Sequence, residues 1–214
     1  MKTKSLLLLL SVYSATLVFA QAQDYAINTL LGNGPIRASG GFGALTNKFT
    51  TINGHHANIV EVYGGWYINH SFLIGLAAAA VTNDIPVLPA HSARPGTRLS
   101  YEYGQVGMMT EYVLASEKSI HLALQLFGGG GLTMQYDRNE FRNSYADDPI
   151  HQTYDEDWFF VAEPGVKLEM NVFKWMRFSP GISYRATFNS HGRGLSDDGL
   201  SAMSYNLTAK FGKF

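Results

Sequence analysis

From residue 160 to residue 188 apolar and polar side chains alternate almost without a break. Phe160, Ala162, Pro164, Val166, Leu168, Met170 and Val172 share one parity, and Glu163, Gly165, Lys167, Glu169 and Asn171 take the other. After Phe173 and Lys174 the pattern resumes. Met176, Phe178, Pro180, Ile182, Tyr184, Ala186 and Phe188 stand against Arg177, Ser179, Gly181, Ser183, Arg185 and Thr187. Successive side chains of a strand point to opposite faces, so this is a hairpin with one apolar and one charged side. A soluble sandwich buries its apolar face and wets its polar one. Here the apolar faces are long, and the polar faces carry Glu, Lys and Arg on neighbouring strands. That is the pattern of a transmembrane barrel hairpin, with lipid outside and a polar interior.

Six more segments complete a set of eight predicted strands. The first is about 36–44, where Ile36, Ala38, Phe42 and Ala44 oppose Arg37 and Ser39. The second is about 58–68, with Val60, Val62, Trp66 and Ile68 against Glu61 and Tyr63. The third, 71–81, is apolar on both faces and gives no register. In the fourth, about 99–114, Glu102 and Glu111 differ in parity, which predicts a bulge or a misplaced boundary. The fifth begins with Ile120, Leu122, Leu124 and Leu126 opposing His121, Ala123 and Gln125. The hairpin supplies two, and the last runs from about 202 to the terminus, with Tyr205, Leu207, Ala209 and Phe211 against Ser204, Asn206, Thr208 and Lys210. The predicted connections alternate long and short, beginning with a moderate loop at 45–57. The longest is 135–157. Outer-membrane barrels have short periplasmic turns and longer external loops. The predicted fold is therefore all-β, an eight-stranded antiparallel up-and-down transmembrane barrel.

The start of the chain is consistent with export. Lys2 and Lys4 precede an apolar run ending at Ala20, with small residues at a cleavage site after Ala20 or Ala22. This predicts a signal peptide over 1–20, a short periplasmic lead over 21–35 and a barrel over 36–214. The longest later apolar stretch, Phe72 to Val81, suits a tilted strand and is too short for a spanning helix. With no cysteine, disulfides and Cys-based metal sites are excluded. The 16 basic residues less Lys2 and Lys4, against 17 acidic ones, leave a net charge of about −3, which gives no reason to expect a nucleic-acid partner.

Several motifs resemble a recurring set in small Gram-negative outer-membrane β-barrel proteins of the OmpA/OmpX-like kind. They are Gly40-Gly41-Phe42-Gly43, Lys48-Phe49-Thr50-Thr51-Ile52-Asn53-Gly54 and Gly64-Gly65-Trp66-Tyr67-Ile68-Asn69-His70-Ser71-Phe72. Glu163-Pro164-Gly165-Val166, Ser183-Tyr184-Arg185, Gly194-Leu195-Ser196-Asp197 and the ending Lys210-Phe211-Gly212-Lys213-Phe214 belong to the same set. The resemblance implies fold and location and carries over no catalytic residue. It also implies outer-membrane lipid and the barrel-assembly machinery as partners, with Phe211 and Phe214 as the assembly signal. Their parities differ, a departure from the usual signal.

The candidate chemistry lies inside. Arg37, Glu61, Glu111, Glu163, Lys167, Glu169, Arg177, Arg185 and Lys210 take lumen positions. An eight-stranded barrel is just wide enough for side chains to fill it, so paired charges there would make a plug. The alternative is a narrow ion or small-solute channel. Trp66, Tyr112 and Phe173 near the short turns, and Trp158 and Phe188 near the loops, are expected interfacial aromatics. Trp175 lies at the same height with lumen parity, which the pattern does not explain. Seven histidines show no convergent ligand spacing, so no metal or other cofactor is expected. Loop 135–157, rich in acids and aromatics, is a candidate surface for an external partner or a bridging calcium ion. Ser190-His191 and Ser196-Asp197 are the residue types of a lipid-modifying enzyme, but no nucleophile motif accompanies them. The expectation is a monomeric, non-enzymatic barrel, structural or partner-binding through its loops.

Overall fold

The computed structural model describes residues 39–69, 71–116, 118–137 and 153–212. The strands are β1 (Ser39–Ile52), β2 (His55–Ile68), β3 (Phe72–Val81), the two-residue β4 (Ile85–Pro86), β5 (Leu99–Leu114), β6 (Ile120–Asp137), β7 (Thr153–Phe173), β8 (Met176–Phe188) and β9 (Ala202–Gly212). Each long strand pairs antiparallel with the next, β3 pairing directly with β5. The last strand returns to the first, from Phe42 opposite Gly212 to Phe49 opposite Tyr205. The ring of eight long strands is closed, and closure leaves no sheet edge to aggregate. β4 continues the wall beyond the end of β3, with Ile85 opposite Tyr101.

The period-two pattern sets which side chains point inward. Glu61, Glu111, His121, Glu163, Lys167, Glu169, Arg177, Arg185 and Lys210 are all buried within the ring. Leu76 (69% exposed), Val106 (58%) and Val62 (54%) stand on the outer wall, with Leu122, Leu124, Leu126, Val166, Ile182 and Leu207 around it. A continuous apolar band of that extent on the outside, with charges inside, inverts the arrangement of a soluble protein. In β3 the inward positions are Leu73, Ala77, Ala79 and Val81, which gives this strand the register its sequence withheld.

Glycine pairs face each other across the wall at Gly65 and Gly75 and at Gly107 and Gly129. A Cβ on Gly65 would lie 2.1 Å from the Ile74 carbonyl oxygen, and one on Gly129 would lie 2.2 Å from that of Val106. These positions let neighbouring backbones approach more closely than a side chain would allow.

Several expectations are corrected. β1 runs on to Ile52, and its faces are reversed: Phe42 and Ala44 are buried inside, while Leu45 and Phe49 are exposed. The expected loop 45–57 is two strand ends joined by Asn53 and Gly54, both at positive φ (50° and 76°). Asn-Gly is the preferred pair for a two-residue hairpin turn, because its twist matches that of the strands. The first connection is therefore short, and long–short alternation fails there. β5 has no bulge: its pairing with β6 is unbroken from Leu99–Asp137 to Leu114–Leu122. Glu102 is simply on the outer face, and Glu111 on the inner one. Register shifts occur instead between β6 and β7, at Thr133/Gln135, where Asp155 has φ 55°, and between β7 and β8, at Asn171/Phe173. Loop 135–157 is shorter than expected, because residues 135–137 and 153–157 belong to strands. Its remainder, 138–152, lies outside the described residues.

Three turns at one end are short: the segment around Asn69 and Ser71, residues 115–119, and Lys174-Trp175. The described chain starts and finishes at that same end, since Ser39 pairs with Ile68 and Phe211 with Met176. The opposite end carries 82–98 and 189–201, besides the Asn53-Gly54 turn and the ends of β6 at Asp137 and of β7 at Thr153.

Candidate functional site

The interior is organised around two groups of charges. Lys48, an inward residue of β1, sends its Nζ to Glu61 Oε2 of β2 (2.6 Å) and to both carboxylate oxygens of Glu163 on β7 (2.8 and 2.9 Å). Ser183 Oγ donates to Glu163 at 2.6 Å and Gln105 Nε2 at 3.2 Å. Tyr103 donates to the Gln105 side-chain oxygen at 2.5 Å. Five strands thus converge on one ammonium and one carboxylate.

The second group lies nearer the short turns. Lys210 Nζ of β9 bridges Glu111 of β5 and Glu169 of β7, at 2.5 Å from the latter. Lys167 Nζ reaches Glu111 Oε1 and the Tyr63 hydroxyl, both at 3.0 Å. Arg177 Nη1 donates to Glu169 Oε1 at 2.7 Å, and His121 Nε2 lies 3.0 Å from the same oxygen. The Tyr63 and Tyr67 rings pack against Phe42, and the Lys167 ammonium sits 4.8 Å from the Tyr63 ring centre.

Four glutamates are matched in direct contact by Lys48, Lys167, Lys210 and Arg177, so the carboxylates are neutralised within the protein. Buried charges need such pairing, because desolvation of an unmatched ion costs several kcal/mol. The long side chains fit because other inward positions are small. Gly165, Gly181, Ser179, Ser183, Ser204 and Thr208 line one part of the wall, and Ala77 and Ala79 line β3. A Cβ on Gly181 would meet Lys167 Cγ at 2.7 Å.

The residues singled out from sequence divide as follows. Glu61, Glu111, Glu163, Lys167, Glu169, Arg177 and Lys210 meet in the network. Arg185 is buried but pairs with no glutamate among the described residues. Its Nε donates to the Leu200 carbonyl (2.7 Å) and its Nη2 to that of Thr51 (2.8 Å), with the guanidinium over the Tyr103 ring. Arg37 lies outside the described residues, and the β1 cation of the network is Lys48. A loop over 45–57 hides Lys48 from the sequence reading. The Asn53-Gly54 turn signal extends β1 and turns Lys48 inward.

Trp66, Tyr112, Phe173, Trp158 and Phe188 are all exposed on the outer wall. Trp175 is a turn residue and not a strand residue, so lumen parity does not apply to it. Its ring stacks on Phe173 and Phe211, with centroids at 5.5 and 6.1 Å. Phe214 lies outside the described residues.

At the loop end, Ser190 Oγ donates to Asp157 (3.0 Å), and His191 Nδ1 lies against the Asn189 carbonyl. Ser190 and His191 are therefore directed to Asp157 and Asn189. Asp155 and Asp157, read as part of a cation-bridged loop, accept hydrogen bonds from the backbone of residues 191–193. Among the described residues, no three His, Asp or Glu side chains are grouped so as to hold a metal ion.

No protein-family model matches the chain, and no curated protein matches it. Solved structures do. The neisserial surface protein A superposes with a TM-score of 0.54 at 8% identity, over 82% of this chain and 97% of that one. A major outer membrane protein from Thermus thermophilus superposes at 0.52 and 10% identity, over 82% of this chain and 100% of that one. The identities are too low to carry anything but architecture. The chain has the fold of an eight-stranded outer-membrane β-barrel.

Proposed function

We propose that the protein is an exported, monomeric, non-enzymatic barrel of a Gram-negative outer membrane. Its lumen is a closed ionic plug, and its contacts are made by the connections at the loop end, which faces outward. The observation that carries this reading is the pairing of buried Lys48, Lys167, Lys210 and Arg177 with four buried glutamates inside a ring whose outer wall is apolar. Hydrated, mobile charges would serve a pore. Charges locked to one another across opposite strands serve to hold the wall together. Residues 1–20 act as the export signal, and 21–35 form a periplasmic lead. Trp66, Tyr112 and Phe173 mark one membrane interface, and Trp158 and Phe188 the other. Phe211 and Phe214 form the signal read by the assembly machinery, and outer-membrane lipid surrounds the barrel. The segment 135–157 is a candidate contact surface for an external partner, through its portion between the strands.

Orientation is tested by single cysteines, since the chain has none of its own. Arg98→Cys, in the exposed loop before β5, is expected to react with an impermeant maleimide on intact cells. Lys118→Cys, in the short turn before β6, is expected to react only after the outer membrane is opened. The reverse pattern would invert the topology.

A further inference from the structure

The connection 189–201 crosses the mouth at the loop end, and its backbone is held in an unusual way. Five consecutive amides donate to carboxylates. Asn189 and Ser190 N–H go to Asp197 (3.0 and 2.8 Å), His191 and Gly192 N–H to Asp157 Oδ2 (2.8 and 3.0 Å), and Arg193 N–H to Asp155 Oδ2 (2.7 Å). Backbone amides that belong to no helix or ladder must find acceptors, and ionised carboxylates are the strongest available. Two of the three acids come from the barrel wall, since Asp155 and Asp157 belong to β7, and the bulge at Asp155 is part of their presentation.

The underside of the segment is fastened from three sides of the ring, with the Asn53 N–H donating to the Gly199 carbonyl (2.7 Å) and the Thr187 N–H to Ser201 Oγ (3.0 Å). Leu195 and Leu200 are buried, Arg185 holds the Leu200 carbonyl, and the Tyr101 hydroxyl donates to the Arg193 carbonyl at 2.6 Å. Gly194, at φ 72°, passes so close to His91 that a Cβ would meet its ring at 2.4 Å. The part from Leu195 to Ser201 thus rests on the barrel through two leucines and these hydrogen bonds, and the aspartates hold the backbone of 189–193.

We propose that residues 189–201 form a latched cap over the mouth, and that the latch is the set Asp155, Asp157 and Asp197. Releasing the latch leaves the amides to water and frees the cap to lift from Arg185 and Tyr101. The Lys48–Glu61–Glu163 group below does not take part, so the barrel stays closed when the cap opens. The cap is a local unit on a rigid wall, the kind of element that moves in switching proteins once its fastening is released.

Arg193 provides the readout. Its side chain is 62% exposed and available to trypsin, yet its backbone is pinned on both sides, by Asp155 and by Tyr101. Cleavage after Arg193 requires the cap to open, and its rate follows the open population when reclosing is fast. Purified protein refolded in detergent micelles is treated with trypsin, and the cut is located by mass spectrometry. Both ends are accessible in micelles, so the result does not depend on which end faces outward. The parent is expected to resist cleavage at Arg193. Asp157→Ala is expected to be cut there at least about tenfold faster, because it loses three hydrogen bonds to one charged acceptor. Asp157→Asn, which keeps one acceptor oxygen, is expected to fall between them. The heat needed to unfold the barrel on a gel is expected to stay at the parent value in both. Rapid cleavage of the parent, no acceleration in Asp157→Ala, or a loss of barrel stability that tracks the cleavage would each overturn the latch.

Discussion

Lys210→Met is expected to destabilise the folded barrel by about 3–5 kcal/mol, the cost of removing one partner from a buried ionic group. The ammonium touches two carboxylates at once, and both are fully buried. Glu169 keeps Arg177 and His121, at 2.7 and 3.0 Å. Among the described residues Glu111 keeps Lys167 and Tyr63, both on one oxygen, so the loss falls mainly on Glu111. The double variant Lys167→Met/Glu111→Gln instead removes a contacting pair together and leaves Lys210 on Glu169. It is expected to cost less than about half as much, because an apolar or neutral replacement of a whole pair is far less costly than a stranded charge. Urea unfolding in lipid, followed by tryptophan fluorescence, gives both numbers. A single variant as stable as the parent would mean that these groups are hydrated and unlinked.

The second large effect concerns the outer wall. Val166 and Ile182 face each other in the β7–β8 ladder, and both are exposed. If the band meets acyl chains, Val166→Arg and Ile182→Arg should each cost about 2–4 kcal/mol near the bilayer midplane. Lys174→Arg, in the exposed turn of the same hairpin, should cost nothing measurable. Both wall variants and the turn control are compared by refolding into bilayers of defined thickness. Wall variants that refold as stably as the control would show that the band does not face lipid.

Much of this architecture is legible from alternation alone. The hairpin of β7 and β8 and the strand β9 show strict parity, and a polar residue cannot change faces without breaking the strand's geometry. Glu163, Lys167, Glu169, Arg177 and Lys210 are accordingly placed inside by sequence. Where parity is not visible, the reading fails. Residues 41–52 mix glycine, threonine and asparagine on both faces, so pattern alone cuts β1 short and exchanges its faces. Lys48 is lost with them. The parity conflict of Glu102 and Glu111 suggests a bulge, but a long strand that rises past the apolar band can carry an outward glutamate. Partnership is harder to read than burial. Arg185 faces inward as its parity requires, yet it serves the carbonyls of Thr51 and Leu200, which are 134 and 15 residues away in sequence. The clasp of 189–193 by three aspartates leaves no periodic trace, because it depends on a bulge in one strand meeting a loop from the next connection.

The claim that the lumen is a plug meets its most direct test in planar lipid bilayers. Purified, refolded parent protein is inserted at a density where single events are resolved, and current is recorded at both polarities in concentrated salt. Paired charges held at 2.5–3.0 Å across the interior predict a flat baseline with no sustained steps. Uniform, long-lived conductance steps from the parent protein, with an ion selectivity that changes when Glu163 is replaced by glutamine, would contradict the plug and make the barrel a channel.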